Sequence, residues 1–265
     1  MKITYIGHAT LLLEIGGVTV LTDPNFDAAL GAFAIGSRLR RVSAPGIALA
    51  DLPRLDAVLV THAHVDHLSL DSLRALPQGV PVWAPPAVAR WLHHKGFAQV
   101  HPLAPAATTA LGDLSIHAEA AQHVGSRYGF DRWRSEANMY LLESPAHSVF
   151  FAGDTALTET THHLAEHVLR AAGRTLDVAL LPIGHAPPWK HRSFRAGHLT
   201  YQDALELFTR LGARHLVPYH WGTFNHLTSG AHDAITLLRA QLPTHPRAAD
   251  VRILEPGEAL DVTRA

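Results

Sequence analysis

The feature that most constrains this chain is a run of four metal-ligand side chains in six residues: His62, His64, Asp66 and His67, in the order T-H-A-H-V-D-H-L. The run follows the apolar segment Ala57-Val58-Leu59-Val60, which reads as a buried strand. A strand that ends in His-x-His-x-Asp-His puts imidazole nitrogens and a carboxylate in the loop at its C-terminal edge. Such donors suit Zn²⁺, Mn²⁺ or Fe²⁺. Four donors this close are too many for one site completed by distant partners, and divide more naturally between two neighbouring ions. The chain has 21 His in 265 residues, so chance clusters are commoner than usual. A cluster placed directly after a hydrophobic strand is less expected by chance.

Composition bounds the rest. Apolar residues make up 47% and charged residues 17%, enough to bury a sizeable core and too ordered a mixture for a disordered chain. The formal net charge of −1 offers no general attraction to nucleic acid or to an acidic membrane surface. There is no Cys, which excludes disulfides, thiolate metal sites and a Cys nucleophile. The start, M-K-I-T-Y-I-G-H, enters a strand pattern without the apolar stretch of a signal peptide. No apolar run reaches the roughly 18 residues that span a bilayer. The expectation is a cytoplasmic protein with no stable membrane insertion; a homo-oligomer is compatible with the sequence.

The pattern predicts strands at Lys2–Ile6, Thr10–Ile15 and Val18–Thr22, with a hairpin at Gly16-Gly17. Residues 25–54 read as a long loop with at most a short helix. Strand Ala57–Val60 follows, then the ligand loop, a helix near Leu70–Ala75, a strand at Val80–Ala84 and a helix at Pro86–Lys95. Leu114–Ala120, Met139–Glu143, Ser148–Ala152, Val178–Pro182 and His215–Val217 read as strands; Thr161–Ala171, Thr200–Leu211 and Ala231–Gln241 read as helices; Val251–Leu254 reads as a last strand. Strands followed by strand–helix alternation occur twice, in halves near 1–135 and 136–265. The expected class is α/β, a four-layer αβ/βα sandwich with two mixed β-sheets and helices outside, in one domain over 1–265.

Two ions need further donors, and these are sought just after other apolar strands. His123 follows Leu114–Ala120, Asp154 follows Ser148–Ala152 in F-F-A-G-D-T, and His220 opens H-W-G-T-F. Each alone is an ordinary strand-end or turn residue. Together, the order His-x-His-x-Asp-His, His, Asp, His resembles the metallo-β-lactamase superfamily over nearly the whole chain. The likeness is greatest to the branch of N-acylphosphatidylethanolamine phospholipase D and the ascorbate-6-phosphate lactonases. It rests on G-H-A-T-L-L-L-E (7–14), L-T-D-P (21–24), the stretch 51–68, H-V-G-S-R (123–127), F-F-A-G-D-T (150–155), L-P-I-G (181–184) and H-W-G-T-F (220–224). The resemblance implies the metallo-β-lactamase fold. It also implies one metal held by His62, His64 and His123, a second by Asp66, His67 and His220, and Asp154 bridging them. This chain carries S-E-A-N-M-Y-L-L-E (135–143) where the phospholipase-like members have an aromatic-rich segment, which leaves a lipid substrate open.

Two divalent cations about 3.5–4 Å apart can share a hydroxide and lower its pKa towards neutrality. With no Cys and no Gly-x-Ser-x-Gly elbow, the sequence offers no other nucleophile. Hydrolysis is the expected reaction, and zinc the first expectation for a His-rich site, with manganese or iron as alternatives. Asp66 has two candidate roles, ligand and orienter of the attacking water. His198, in G-H-L-T-Y, lies by the substrate if the branch resemblance holds, and is a candidate substrate contact or proton donor. Arg127 could pair with a substrate phosphate or carboxylate, or be an ordinary loop arginine. His8 and Asp23 are expected to support the ligands, Asp23 by holding an imidazole through its free N–H. His185, Trp189, His191 and Trp221 are weaker pocket candidates. Arg38, Arg40 and Arg41 are expected to be solvated, on a loop that could form a lip over the site.

The leading function is a dinuclear metal-dependent hydrolase of a small or medium phosphodiester-type substrate, acting through a metal-bridging hydroxide. A lactonase or other acyl-ester hydrolase is the alternative within enzymes. A nuclease is disfavoured by the near-neutral charge, and a single-iron oxidoreductase by the full donor set. A non-catalytic metal-binding or regulatory module is the reading outside enzymes.

Overall fold

The computed structural model describes residues 1–31, 38–127, 135–184, 195–225 and 229–263. Two sheets stack face to face. The first has the order β15-β1-β2-β3-β6-β7-β8, from Ala259–Asp261, Lys2–Gly7, Thr10–Ile15, Val18–Thr22, Ala57–Leu59, Val82–Ala84 and Val100–Pro102. The second has the order β14-β13-β12-β11-β10-β9, from His215–Tyr219, Val178–Pro182, Ser148–Phe151, Asn138–Glu143, Leu114–Ala120 and Thr108–Leu111. Both are mixed: β1, β2 and β3 run antiparallel and β3, β6, β7 and β8 parallel; β9 to β12 run antiparallel and β12, β13 and β14 parallel.

Strand alternation explains the layers, because successive side chains leave opposite faces of a sheet. Ile3, Tyr5, Leu11, Leu13, Val20 and Leu59 face the second sheet and join Ile116, Tyr140, Phe151, Leu180 and Val217 in one core. Their neighbours Ile6, Leu12, Leu21, Val58 and Val60 turn the other way, onto α1 (Leu70–Ala75) and α2 (Pro86–His94), through Leu73, Val88, Trp91 and Leu92. On the far side, Leu169, Phe208 and Ile235 bring α3 (His163–Ala171), α4 (Tyr201–Leu211) and α5 (Asp233–Gln241) onto the second sheet. Each such fully buried Leu or Phe contributes about 1.5–3 kcal/mol. The result is helix, sheet, sheet, helix, the expected four-layer sandwich. Among the described residues no helix is long and apolar enough to cross a membrane.

Three details differ from the sequence expectation. Residues 25–54 are not only loop: β4 (Ala29–Gly31) and β5 (Arg38–Arg40) pair antiparallel, and Leu49–Asp51 is a single 3₁₀ turn. The last strand is Ala259–Asp261, pairing with β1, whereas Val251 makes only an isolated bridge to Leu216. Short, largely exposed β8 and β9 went unpredicted, since their burial lacks a strong apolar signal.

Topology fixes where chemistry collects. Strands β10, β12 and β14 point the same way, so residues after their C-terminal ends meet at one edge of the second sheet. The residues after β6 meet them there from the first sheet.

Candidate metal centre

The seven predicted donors gather at that edge, with His8 beside them. His62, His64, His123 and Asp154 have ligand atoms within 4.8 Å of one another, and so do His8, Asp66, His67 and His220. Two imidazole pairs approach nitrogen to nitrogen: His64 Nδ1 to His123 Nε2 at 3.1 Å, and His67 Nε2 to His220 Nε2 at 2.9 Å. His67 Nε2 and His220 Nε2 lie 3.3 and 3.4 Å from the Asp154 carboxylate, and 3.9 and 3.6 Å from Asp66 Oδ2. Ligands about 2.0–2.1 Å from a tetrahedral ion sit roughly 3.3 Å apart, so these are the separations of donors around a common cation. His62 Nε2 and Asp154 Oδ1 are buried with no hydrogen-bond partner among the described residues. A buried polar atom left so costs about 1–3 kcal/mol, a cost a bound cation would remove. The donor set fits divalent metal.

The surrounding residues choose the tautomers. Thr61 Oγ1 donates to Asp23 Oδ2 at 2.6 Å, so its lone pair accepts from His62 Nδ1–H at 2.9 Å and leaves His62 Nε2 bare. His67 Nδ1–H donates to Asp23 Oδ2 at 2.7 Å, and His123 Nδ1–H to the Gly197 carbonyl at 2.7 Å, so both present Nε2 to the centre. Asp23 Oδ1 also accepts Thr61 N–H at 2.7 Å. His8 Nε2–H donates to Asp66 Oδ2 at 3.0 Å, its ring lies 3.9 Å from that of His220, and its carbonyl accepts His220 N–H at 2.9 Å.

This arrangement is held under strain. Four described non-glycine residues have left-handed backbone, and three of them are His8 (φ 56°), Asp23 (φ 34°) and His220 (φ 69°). Each costs on the order of 1–3 kcal/mol and persists only where its surroundings impose it.

Burial dominates the electrostatics. It drives His8 and His123 down to about 3, against the pull of Asp66 and Asp154 respectively, and holds His62 well below its ordinary value and His64 below it. Those imidazoles are neutral, the form that binds metal. For His67 burial also opposes charge, but Asp154 and Asp66 outweigh it and lift its pKa well above 6.5. For Asp66 and Asp154 burial is likewise outweighed by the neighbouring imidazoles, and both carboxyls sit well below the usual range.

The remaining predicted residues fall as follows. His198 Nε2 is 3.7 Å from Asp154 Oδ2, with its ring edge-on to His123 and its side chain 18% exposed. Arg127 Nη1 donates to the carbonyls of Ala63 (3.2 Å) and Leu68 (2.7 Å), and its guanidinium lies over Trp91. Arg41 is not solvated, contrary to expectation: it donates to the carbonyls of Asp27 and Asn25 and stacks on Phe224. Trp221 packs in the core against Tyr5. His185, Trp189 and His191 lie outside the described residues.

Sequence reasoning missed several supports. Asn25 Nδ2 donates to the carbonyls of Val65 and Asp66 at 2.9 and 3.1 Å, pinning the ligand loop between the two carbonyls that Arg127 holds. Gly125 is required because a Cβ there would stand 2.6 Å from His62 Cβ and 2.8 Å from the Glu136 carbonyl. At Gly184 a Cβ would collide with the His220 carbonyl. Both glycines stand in quoted motifs, H-V-G-S-R and L-P-I-G, and that placement was the available signal.

Fold and donor set define a metal-dependent hydrolase. The chain belongs to the beta-lactamase superfamily, whose domain matches residues 18–221. It is 27% identical to a metal-dependent hydrolase of Shouchella clausii, covering 99% of this chain and 100% of that one. It is 27% identical to the N-acyl-phosphatidylethanolamine-hydrolyzing phospholipase D 1 of Caenorhabditis elegans, covering 83% of this chain and 64% of that one. Its fold is similar to the crystal structure of an isothiocyanate hydrolase from Delia radicum gut bacteria, with a TM-score of 0.78, 22% identity, and 98% and 99% of the two chains covered.

Proposed function

We propose that this chain, acting as one domain in the cytoplasm, is a dinuclear hydrolase of a small or medium phosphodiester. His62, His64 and His123 would hold one divalent ion and Asp66, His67 and His220 the other, with Asp154 shared. The observation that carries the two-ion reading is the Asp154 carboxylate, which stands among the first donor set and within 3.3–3.4 Å of two nitrogens of the second. Zinc is the proposed metal, by the count of imidazoles. Bound there, the cations would supply Lewis acidity towards a substrate oxygen and a nucleophilic water near neutral pH. The choice of phosphodiester rests on the likeness to the phospholipase D relative.

The chain's own residues supply the rest. His8 fixes the Asp66 carboxylate, which orients the attacking water. His198, partly exposed beside Asp154, donates a proton to the departing alkoxide oxygen as the P–O bond breaks. General-acid catalysis of this kind contributes roughly 10²–10⁴-fold. His198→Ala should therefore slow an alkyl phosphodiester by that factor. It should slow bis-p-nitrophenyl phosphate much less, because p-nitrophenolate leaves without a proton. Chelator should abolish both reactions. Equal slowing of the two substrates would remove His198 from this role. Faster turnover of p-nitrophenyl esters or acyl lactones than of any phosphodiester would replace the substrate class with the acyl one. No metal-restored turnover of either class would favour a metal-binding module.

A further inference from the structure

A second group of metal-binding side chains lies outside the centre, at the start of α3. The segment reads T-H-H-L-A-E-H, and the donor atoms of His162, His163 and Glu166 lie within 4.8 Å of one another. We propose that His162, His163 and Glu166 form an auxiliary site for a borderline divalent cation such as Zn²⁺, Ni²⁺ or Cu²⁺, independent of the hydrolytic centre.

Helix geometry carries the first part of the argument. Residues four apart share a face, and the order His-His-x-x-Glu-His supplies two such pairs, 162 with 166 and 163 with 167. His162 Nε2 is 3.6 Å from Glu166 Oε2. The rings of His162 and His163 are 4.8 Å apart, and those of His163 and His167 are 5.7 Å apart, so His167 is a fourth donor within a rotamer change. Two imidazoles and a carboxylate are a complete protein donor set for a zinc ion that keeps a water position open.

Preorganisation carries the second. Thr161 is buried, and its hydroxyl accepts Thr158 N–H at 3.0 Å and donates to the Ala156 carbonyl at 3.0 Å, which fixes the turn that presents His162. The His162 ring is not consumed by the protein: its Nδ1 is buried with no hydrogen-bond partner among the described residues. Arg170 holds the other oxygen of Glu166, Oε1, at 2.5 Å, which leaves Oε2 on the side of His162. Across the adjoining cleft, His117 and Glu119 of β10 face His163 and His167. None of these donors belongs to the seven of the centre.

The test uses the full chain, stripped with chelator and dialysed against micromolar zinc, with bound metal counted by elemental analysis. The double variant His162→Ala/His163→Ala should hold one ion fewer per chain than the wild type and hydrolyse its best substrate at the wild-type rate. The difference is the readout, so the result stands whatever the number of ions in the centre. One equivalent of Cu²⁺ added to zinc-filled protein should give a paramagnetic resonance spectrum split by imidazole nitrogen, absent in the variant. Should the double variant fold poorly, Glu166→Gln preserves shape and should weaken the copper site about tenfold. Equal metal content in wild type and double variant overturns the proposal. A copper spectrum indifferent to both substitutions does so as well.

Discussion

The support given by Asp23 makes a quantitative prediction. Its carboxylate is fully buried and takes three hydrogen bonds, from Thr61 N–H, Thr61 Oγ1 and His67 Nδ1–H, at 2.6–2.7 Å. Asp23→Asn keeps the shape but turns one acceptor oxygen into a donor. Whichever way the amide faces, a donor then meets a donor. If it meets His67, the imidazole must break the contact or move its proton to Nε2, the nitrogen 2.9 Å from His220. Either outcome spoils one metal ligand. Losing such a supporting contact typically costs 10–100-fold in metal affinity, or about 1.4–2.7 kcal/mol, and a hydrogen bond to a charged group is worth a similar 1.5–3 kcal/mol. Zinc titration in a metal buffer, paired with circular dichroism melting, reads the effect directly. Asp23→Ala, which strands three donors, should be worse on both measurements. A folded Asp23→Asn chain that binds zinc as tightly as the wild type would refute the reasoning.

Three further outcomes are expected. Because His67 has its pKa lifted above 6.5, the metal-free chain carries that proton at pH 7; zinc binding should release it, and affinity should rise with pH until His67 is deprotonated in the free chain, which calorimetry in buffers of different ionisation enthalpy measures. Arg127→Ala should destabilise the ligand loop by about 1.5–3 kcal/mol, lowering Tm and metal content, and should change KM equally for neutral and anionic substrates; a selective loss for anions would return Arg127 to a substrate-binding role. Gly125→Ala should cost about 1–3 kcal/mol by overpacking against His62, seen as a lower melting temperature and reduced zinc retention.

The fold was legible where burial imposes a period. Strands β1, β2, β3 and β6 alternate between two apolar layers, so their sequences are almost continuously apolar and stand out. The paired strands 29–31 and 38–40 and the closing strand at 259–261 were not legible, because three-residue strands carry too few side chains to show a period, and the last of them owes its pairing to distant β1. The donors were legible for a chemical reason: four of them crowd a single loop, and the others follow apolar strands. The residues that arrange those donors were less so. Asn25 and Thr61 act by hydrogen bonds to backbone or ring atoms, a role that any loop asparagine or threonine could fill. Gly125 matters through a close approach between segments that only the assembled sandwich creates.

The donor set is divided between the two sheets, and this has a consequence during synthesis. His67 and His220 stand 153 positions apart in the chain, yet their nitrogens nearly touch. A growing polypeptide that has emerged only as far as α1 displays His62, His64, Asp66 and His67 with no opposite wall. The His62, His64, His123 and Asp154 group is complete once β12 and the turn after it have been made, but the Asp66 and His67 group cannot close around an ion until β14 has been translated and docked. Filling of the second position would therefore come last, and a product truncated before residue 220 should hold at most one ion at the centre.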